Sequence, residues 1–200
     1  MKKTLLVLSL TLGFALLMAG CASAPTEEIN ATKAAVTAAQ TDDVRTYAPE
    51  SLKSAEDELS KAMAEVQTQD NKFALSRDYK GASAALKSAK DLAEKAKTDA
   101  EMNKAKTKSD AEAVIASLPA MLDEAKQMLA KAPKGKDTKA DIEAMQNDLK
   151  VAEESINGAN TDMSGEKYMD ALAKANSAKE KIAAVTEQVK AAQEKMRGRR

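Results

Sequence analysis

The chain has 200 residues, with 31 basic and 31 acidic side chains, one cysteine and no histidine. This composition excludes Ser-His-Asp triads, Cys-His nucleophiles, intramolecular disulfides and most metal sites, and the zero net charge is unlike that of a nucleic-acid-binding protein. Alanine supplies 41 residues and aromatic residues only five, which predicts long helices around a thin core.

Residues 1–20 have the layout of a secretory signal peptide. Lys2 and Lys3 precede an uncharged apolar run at positions 4–20. The alternative interpretation is a transmembrane helix, for which a run of 17 residues lies at the short limit. The run ends in Leu-Met-Ala-Gly-Cys at positions 17–21. This ending resembles the lipobox of bacterial lipoproteins and favours the signal peptide.

The lipobox resemblance implies cleavage after Gly20 and a diacylglyceryl thioether on Cys21. A further acyl chain, such as palmitate, usually follows on the new amino terminus, and two or more chains hold a protein stably on a membrane. Residue 22 is alanine rather than aspartate. Under the sorting rule of enteric bacteria, this implies the outer membrane, with the protein facing the periplasm.

Residues 21–47 are predicted to be a lipidated linker with a weak helix. The segment 22–26 consists mostly of small residues, and the helix over 27–40 has a poor apolar face. That face comprises Ile29, Ala35, Val36 and Ala39. Pro49 marks the start of the next helix.

Residues 48–137 are predicted to form a first helical hairpin unit. Its first helix spaces apolar residues by three and four: Leu52, Ala55, Leu59, Ala62 and Val66. A polar turn over 67–78 follows, with Ser76 or Asp78 as the cap of the second helix. The apolar spacing returns from Tyr79 to Ala100 and fades over 101–112. Pro119 is expected to kink or break the helix.

Residues 138–200 are predicted to form a second hairpin unit with a basic tail. Its first helix repeats the spacing with Ile142, Met145, Leu149, Ala152 and Ile156. Gly158 is predicted to end this helix, with a turn over 159–166. The second helix carries apolar residues from Tyr168 to Met196, and the tail Lys-Met-Arg-Gly-Arg-Arg could contact anionic cell-wall or lipid groups.

The two units resemble each other at a nearly constant offset. Leu59 corresponds to Leu149 at an offset of 90, and Tyr79 to Tyr168 at an offset of 89. We interpret this as an internal duplication, the alternative being chance similarity of alanine- and lysine-rich helices. The predicted fold is all-α, with long antiparallel alanine-rich helices forming helical hairpins or an elongated bundle.

No residue pattern predicts a catalytic, metal or cofactor site. Tyr79 and Tyr168 are each expected to cover the open end of a hairpin rather than to stack on a ligand. Met121 and Met128 are expected to fill the core. The neighbouring carboxylates at 57–58 and 153–154 are expected to be solvated and paired with lysines rather than to act as acid and base.

Two segments carry a resemblance to a known family. They are YAPESLKSAEDELSKA at 47–62 and RDYKGASAALKSAKDLAEKA at 77–96. With their Tyr-Ala-Pro entry and their Asp-Tyr-x-x-Ala second helix, they resemble the DUF4398 family of bacterial envelope lipoproteins over about 47–100, with a weaker echo at 138–185. The resemblance implies a helical, lipid-anchored periplasmic protein with no assigned reaction. Some members occur with peptidoglycan-binding modules, which this sequence does not show.

The sequence therefore predicts a non-enzymatic, lipid-anchored envelope protein without cofactors. It would act as a structural or interaction scaffold in the periplasm, attached to the membrane through Cys21 and contacting a protein or the cell wall. Nucleic acid is not an expected partner, and self-association is left open. The alternative is a periplasmic adaptor or holdase-like module that binds its partner in a groove between the helical hairpins.

Overall fold

The computed structural model describes residues 23–132 and 138–197, and for residues 196 and 197 it describes the backbone alone. Within these ranges helices dominate and no strand occurs, so the predicted all-α fold is confirmed. The helices in chain order are α1 (Thr26–Ala39), α2 (Asp42–Tyr47), α3 (Pro49–Asp70), a 3₁₀ helix (Ala74–Ser76), α4 (Lys80–Ala130), α5 (Lys139–Ser164) and α6 (Tyr168–Arg197).

The chain divides into two compact units, the first ending at Asn103 and the second beginning at Lys104. The apolar spacing predicted this boundary at 137/138 instead. The difference arises because the second half of α4 packs with α5 and α6 in the second unit. The division falls where the apolar spacing fades, and residues 101–110 of α4 are all exposed or half-buried.

The first unit packs α1, α3 and the first half of α4 around two neighbouring clusters of buried side chains. One cluster joins the start of α1 to the end of α3 and the start of α4, through Ile29, Ala62, Val66, Tyr79, Ala82 and Leu86. The other joins the end of α1 to the start of α3 and a later part of α4, through Val36, Ala39, Val44, Ala48, Leu52, Ala55, Ala93, Ala96 and Ala100. Hence α1 and α4 run in the same direction, and α3 runs opposite to both.

Helix α1 is therefore part of the folded unit. Ile29, Val36 and Ala39 are buried as predicted, Ala35 is half-buried, and Thr32 is buried as well. The Thr32 hydroxyl donates to the Leu86 carbonyl of α4 at 3.2 Å. This bond satisfies a polar group that would otherwise be costly inside the packed helices.

The second unit contains the later part of α4 together with α5 and α6. A three-residue connection, Gly165 to Lys167, makes α5 and α6 an antiparallel hairpin. The core draws on all three helices, and its largest buried side chains include Leu118, Leu149, Ile182, Val185 and Val189. Met121 and Met128 pack against it while partly buried, which confirms the predicted core-filling role.

Helix α4 continues through Pro119 without the break that its sequence allows. Pro119 is exposed, whereas Leu118 and Leu122 are buried in the core of the second unit. A proline inside a helix costs about 3 kcal/mol. Burying two leucines contributes roughly 1.5–3 kcal/mol each, so packing outweighs the loss of one backbone hydrogen bond.

Helix α5 also runs past Gly158, which was predicted to end it. A Cβ atom at Gly158 would lie 3.3 Å from Cδ of Lys174 on α6. The glycine thus leaves room for the lysine side chain, whose Nζ lies 2.6 Å from the Asp162 carboxylate. The chain reverses later, where Glu166 adopts a left-handed backbone with φ of 58°.

Candidate functional site

Gly20 and Cys21, the predicted cleavage and lipid-attachment residues, lie outside the described residues. Residues 198–200, the last three of the predicted basic tail at 195–200, also lie outside them. The first described residue is Ser23. Ala24, the next residue, packs against the cluster formed by Ile29, Val66 and Tyr79 and their neighbours. The folded domain therefore begins three residues after the predicted lipid site.

The turn between α3 and α4, residues 71–79, is held by side-chain hydrogen bonds. The buried Tyr79 donates its hydroxyl hydrogen to the Asp70 carboxylate. The Arg77 guanidinium donates to the backbone carbonyls of Asp70 at 2.8 Å and Lys72 at 3.1 Å. These bonds join the end of α3 to the start of α4 and fix the path of the turn.

Gln69 and Asp78 complete this turn. Gln69 is only 6% exposed; its side-chain oxygen accepts from the Asp78 amide at 3.0 Å, and its amide donates to Glu65 at 2.6 Å. Asp78 in turn accepts from the Lys80 amide at 3.0 Å, so it is the cap that the sequence predicted. The predicted alternative, Ser76, lies in the 3₁₀ helix instead. The Arg-Asp-Tyr sequence at 77–79 is thus a turn-closing motif.

Two large apolar side chains project from this turn. Phe73 is 74% exposed and Leu75 is 67% exposed, and they flank the half-buried Ala74. Large exposed apolar groups placed together on a fixed backbone usually mark a contact surface. The sequence pattern did not predict this surface, because the segment was interpreted only as a polar turn.

Tyr79 has a raised pKa, first because of its hydrogen bond to Asp70 and second because of its burial. A raised pKa in the folded state stabilises the fold at pH values below the ordinary tyrosine pKa of 10.0. That stabilisation is lost as the pH rises through the folded-state pKa, since the phenolate cannot donate to a carboxylate.

We expect Tyr79→Phe to lower the melting temperature at pH 7 and to flatten its decline at alkaline pH. The variant retains the buried ring but removes the hydroxyl that bonds to Asp70. Thermal denaturation followed by circular dichroism from pH 7 to about 11 measures both effects. Tyr168→Phe is the matched control. It removes the hydroxyl at the corresponding position and retains the ring, whose centroid lies 5.7 Å from the Lys108 ammonium. Equal melting curves for both variants across this range would contradict the assigned role.

Tyr168 takes the corresponding place at the start of α6 and is 8% exposed. Burial of both tyrosine rings at the first turn of a hairpin's second helix agrees with their predicted covering role. Their polar contacts differ, because Tyr79 bonds to a carboxylate whereas the Tyr168 ring faces a lysine ammonium. The two corresponding positions therefore share their burial and differ in their polar partner.

A shallow groove of about 470 Å³ runs between α1 and α4 in the first unit. Small side chains form much of its wall, and Glu28, Lys87 and Lys90 lie at its edges. The buried hydrogen bond between Thr32 and Leu86 holds the two helices together beneath it. The groove is a surface on which an extended chain could lie, and it holds no pair of groups poised for acid–base chemistry.

Three of the four neighbouring carboxylates, Asp57, Glu58 and Glu153, are paired with lysines, as predicted. Asp57 lies 2.7 Å from Lys53, and Glu58 lies 2.9 Å from Lys61. Glu153 of α5 lies 3.1 Å from the α4 residue Lys126. In the described ranges, no group of three or more histidine, cysteine, aspartate or glutamate side chains is arranged to hold a metal ion.

The Asp99 carboxylate links two helices of the first unit. Asp99 on α4 accepts from Lys95 and from Ser51 of α3, both at 2.5 Å. These two hydrogen bonds lower the pKa of Asp99. The group is a structural link between two helices, since its charge is already satisfied by a neighbouring ammonium and a hydroxyl.

Across residues 23–132 and 138–197, no helix combines the length and apolar character needed to cross a bilayer.

A family model described as "Domain of unknown function (DUF4398)" matches residues 27–118. The chain carries a DUF4398 domain. Comparisons with curated proteins and with solved structures find no match.

The DUF4398 domain is wider than the resemblance over 47–100 indicates. It begins within α1 and ends in the part of α4 that belongs to the second unit. The inclusion of α1 agrees with the packing of Ile29, Val36 and Ala39 in the first unit. The turn-closing residues at 77–79 lie inside the DUF4398 domain, and their hydrogen bonds give a structural role to the motif that carries the resemblance.

Proposed function

We propose that the protein is a non-enzymatic scaffold of the bacterial envelope, anchored through lipid on Cys21. It would sit on the periplasmic face of the outer membrane and contact a protein or the cell wall. The observation that carries this proposal is the position of Cys21, which ends a lipobox-like segment only three residues before Ala24 enters the folded core. Such a short connection holds the first unit against the membrane surface.

The packing of the domain supports a scaffold. The two units are built from long helices, and buried alanines let the helices approach closely. The carboxylates at 57–58 and 153 are neutralised by neighbouring lysines. The surface is thus suited to remain solvated and to offer a partner contact residues at fixed positions, rather than to enclose a substrate.

The groove between α1 and α4 favours a second candidate function, a periplasmic adaptor or holdase-like module. Its wall of small residues, including Ala31, Ser83 and Ala84, could accept an extended apolar segment. A scaffold and a holdase differ in the number of partners. The first keeps one stable neighbour, whereas the second contacts many unfolded chains in turn.

Photo-crosslinking in the native envelope tests the proposal. A photoreactive residue is placed at Ala84 in the groove and, as the matched control, at the exposed Ala64 on α3. A scaffold should remain in the membrane fraction and give one or a few discrete adducts. A broad range of adducts confined to Ala84 would favour the holdase, and a lipid-free protein recovered only from the soluble fraction would contradict the anchored scaffold.

A further inference from the structure

Phe73 and Leu75 are two of four large apolar residues that are markedly exposed in the described part of the chain. The other two, Met102 and Met169, are single exposed positions within helices. The turn between α3 and α4 is therefore the place where two such residues lie close together in the described sequence. In water this arrangement leaves apolar surface uncovered, and a covering surface would stabilise it.

The exposure is imposed by the structure of the turn. Arg77 donates to the carbonyls of Asp70 and Lys72, and Tyr79 donates to the Asp70 carboxylate. The short 3₁₀ helix Ala74–Ser76 is thereby held outside α3 and α4. Phe73 and Leu75 are thus carried on a segment whose two ends are joined by these bonds.

The turn lies at the end of the first unit where the chain enters the fold. Ala24 and Ile29 pack with Val66 of α3 and with Tyr79, the last residue of the turn. Ala24 lies three residues after Cys21, and three extended residues span at most about 11 Å. A membrane that holds lipid on Cys21 is therefore within a short reach of the turn.

The charges around the turn suit an anionic surface. Lys72 and Lys80 are exposed and lie on either side of Phe73 and Leu75 in the sequence. Over residues 70–80, the three basic side chains of Lys72, Arg77 and Lys80 exceed the two carboxylates of Asp70 and Asp78 by one charge. Basic side chains next to inserted apolar groups are the pattern by which peripheral proteins bind bilayers containing anionic lipid.

We propose that the turn between α3 and α4 is a second membrane contact, in which Phe73 and Leu75 enter the bilayer interface and Lys72 and Lys80 meet anionic headgroups. This inference rests on the proposed lipid anchor at Cys21. The lipid holds the protein at the membrane, and the turn fixes how the first unit stands on it. A lipid chain alone is a flexible tether, whereas two contacts define an orientation.

Tryptophan fluorescence of the lipidated protein tests this contact. The chain has no tryptophan, so Phe73→Trp introduces a single reporter at an exposed position. Met102→Trp is the matched control, since Met102 is 58% exposed and lies 22 residues beyond Lys80, the first residue of α4, about 33 Å along the helix axis. Both variants are reconstituted into vesicles of phosphatidylethanolamine and phosphatidylglycerol, and circular dichroism checks that each is folded.

The indole of the Phe73→Trp variant is expected to emit at shorter wavelength than that of the Met102→Trp control. It should also be quenched by lipids with brominated acyl chains and be protected from aqueous iodide. Replacing Lys72 and Lys80 with glutamate in the Phe73→Trp background should reduce this blue shift in vesicles containing phosphatidylglycerol.

Two results would overturn the proposal. If iodide quenches the lipidated Phe73→Trp variant as strongly as the Met102→Trp control, the turn is not a membrane contact. Protection of the Phe73→Trp indole in intact envelopes but not in vesicles would assign the turn to a protein or cell-wall partner instead.

The mass of the purified protein separates this inference from the proposed function. If the purified chain carries no lipid on Cys21, there is no anchor, and both proposals are wrong. A lipidated Phe73→Trp chain whose indole stays in water overturns the membrane contact alone and leaves the anchored scaffold standing.

Discussion

Truncation of Leu149 to alanine is expected to lower the free energy of unfolding by about 2–5 kcal/mol. Leu149 is 3% exposed and lies in the core that α4, α5 and α6 share. Much of that core is alanine, so few large neighbours can move into the space that the leucine leaves. Because domains of this size have a total stability of about 5–15 kcal/mol, the loss should be plain in a denaturant titration followed by circular dichroism.

Leu59→Ala and Glu154→Ala are the controls for this measurement. Leu59 corresponds to Leu149 in the apolar spacing but is only half-buried, so its truncation should lower the free energy of unfolding clearly less. Glu154 is exposed on the same helix as Leu149, and its replacement should change little. If all three variants unfold alike and without cooperativity, the helices do not form a packed core.

The apolar spacing predicts which face of each helix is buried. Positions from Tyr79 to Ala100 on α4 and from Tyr168 to Val189 on α6 are buried where the spacing places them. A three- and four-residue spacing reports a stripe on one helix, and it does so reliably when alanine and leucine alternate with charged residues. It does not report how completely neighbouring helices cover each position. Leu59 and Leu149 share a place in the pattern and differ in burial for that reason.

The ends of helices and units were harder to predict. Gly158 and Pro119 both interrupt a helical pattern locally, and both lie inside continuous helices. In each case a contact with another helix decides the outcome: the Lys174 side chain over Gly158, and the buried Leu118 next to Pro119. Such contacts join residues that are distant in sequence, and a local pattern carries no information on them.

The turn between α3 and α4 shows the same limit at the candidate site. The sequence marks Asp78 as a cap and Tyr79 as a covering residue, because both roles depend on neighbouring positions. It does not predict that the side chains of residues 77 and 79 both bond to Asp70, nor that Phe73 and Leu75 are left in water. These features depend on the path of the turn, which arises only when α3 and α4 pack.

Replacement of Cys21 with serine is expected to abolish stable membrane attachment. Serine has no thiol, so the thioether to diacylglycerol cannot form, and the protein should accumulate as a precursor that keeps residues 1–20. Two or more acyl chains make attachment stable, and their complete loss leaves only the weak contact proposed for the turn. Membrane fractionation measures the effect, with Ser23→Ala as a control that changes a neighbouring side chain and leaves the cysteine in place.

The intact mass of the wild-type protein extracted from its own envelope tests the central claim, a lipid anchor at Cys21, most directly. The proposed function predicts a chain that begins at Cys21 and carries the added mass of a diacylglyceryl group, with a further acyl chain on its amino terminus. Fragmentation should locate this mass at the first residue. A mature protein that retains residues 1–20, or that begins at Cys21 with no added lipid, would contradict it.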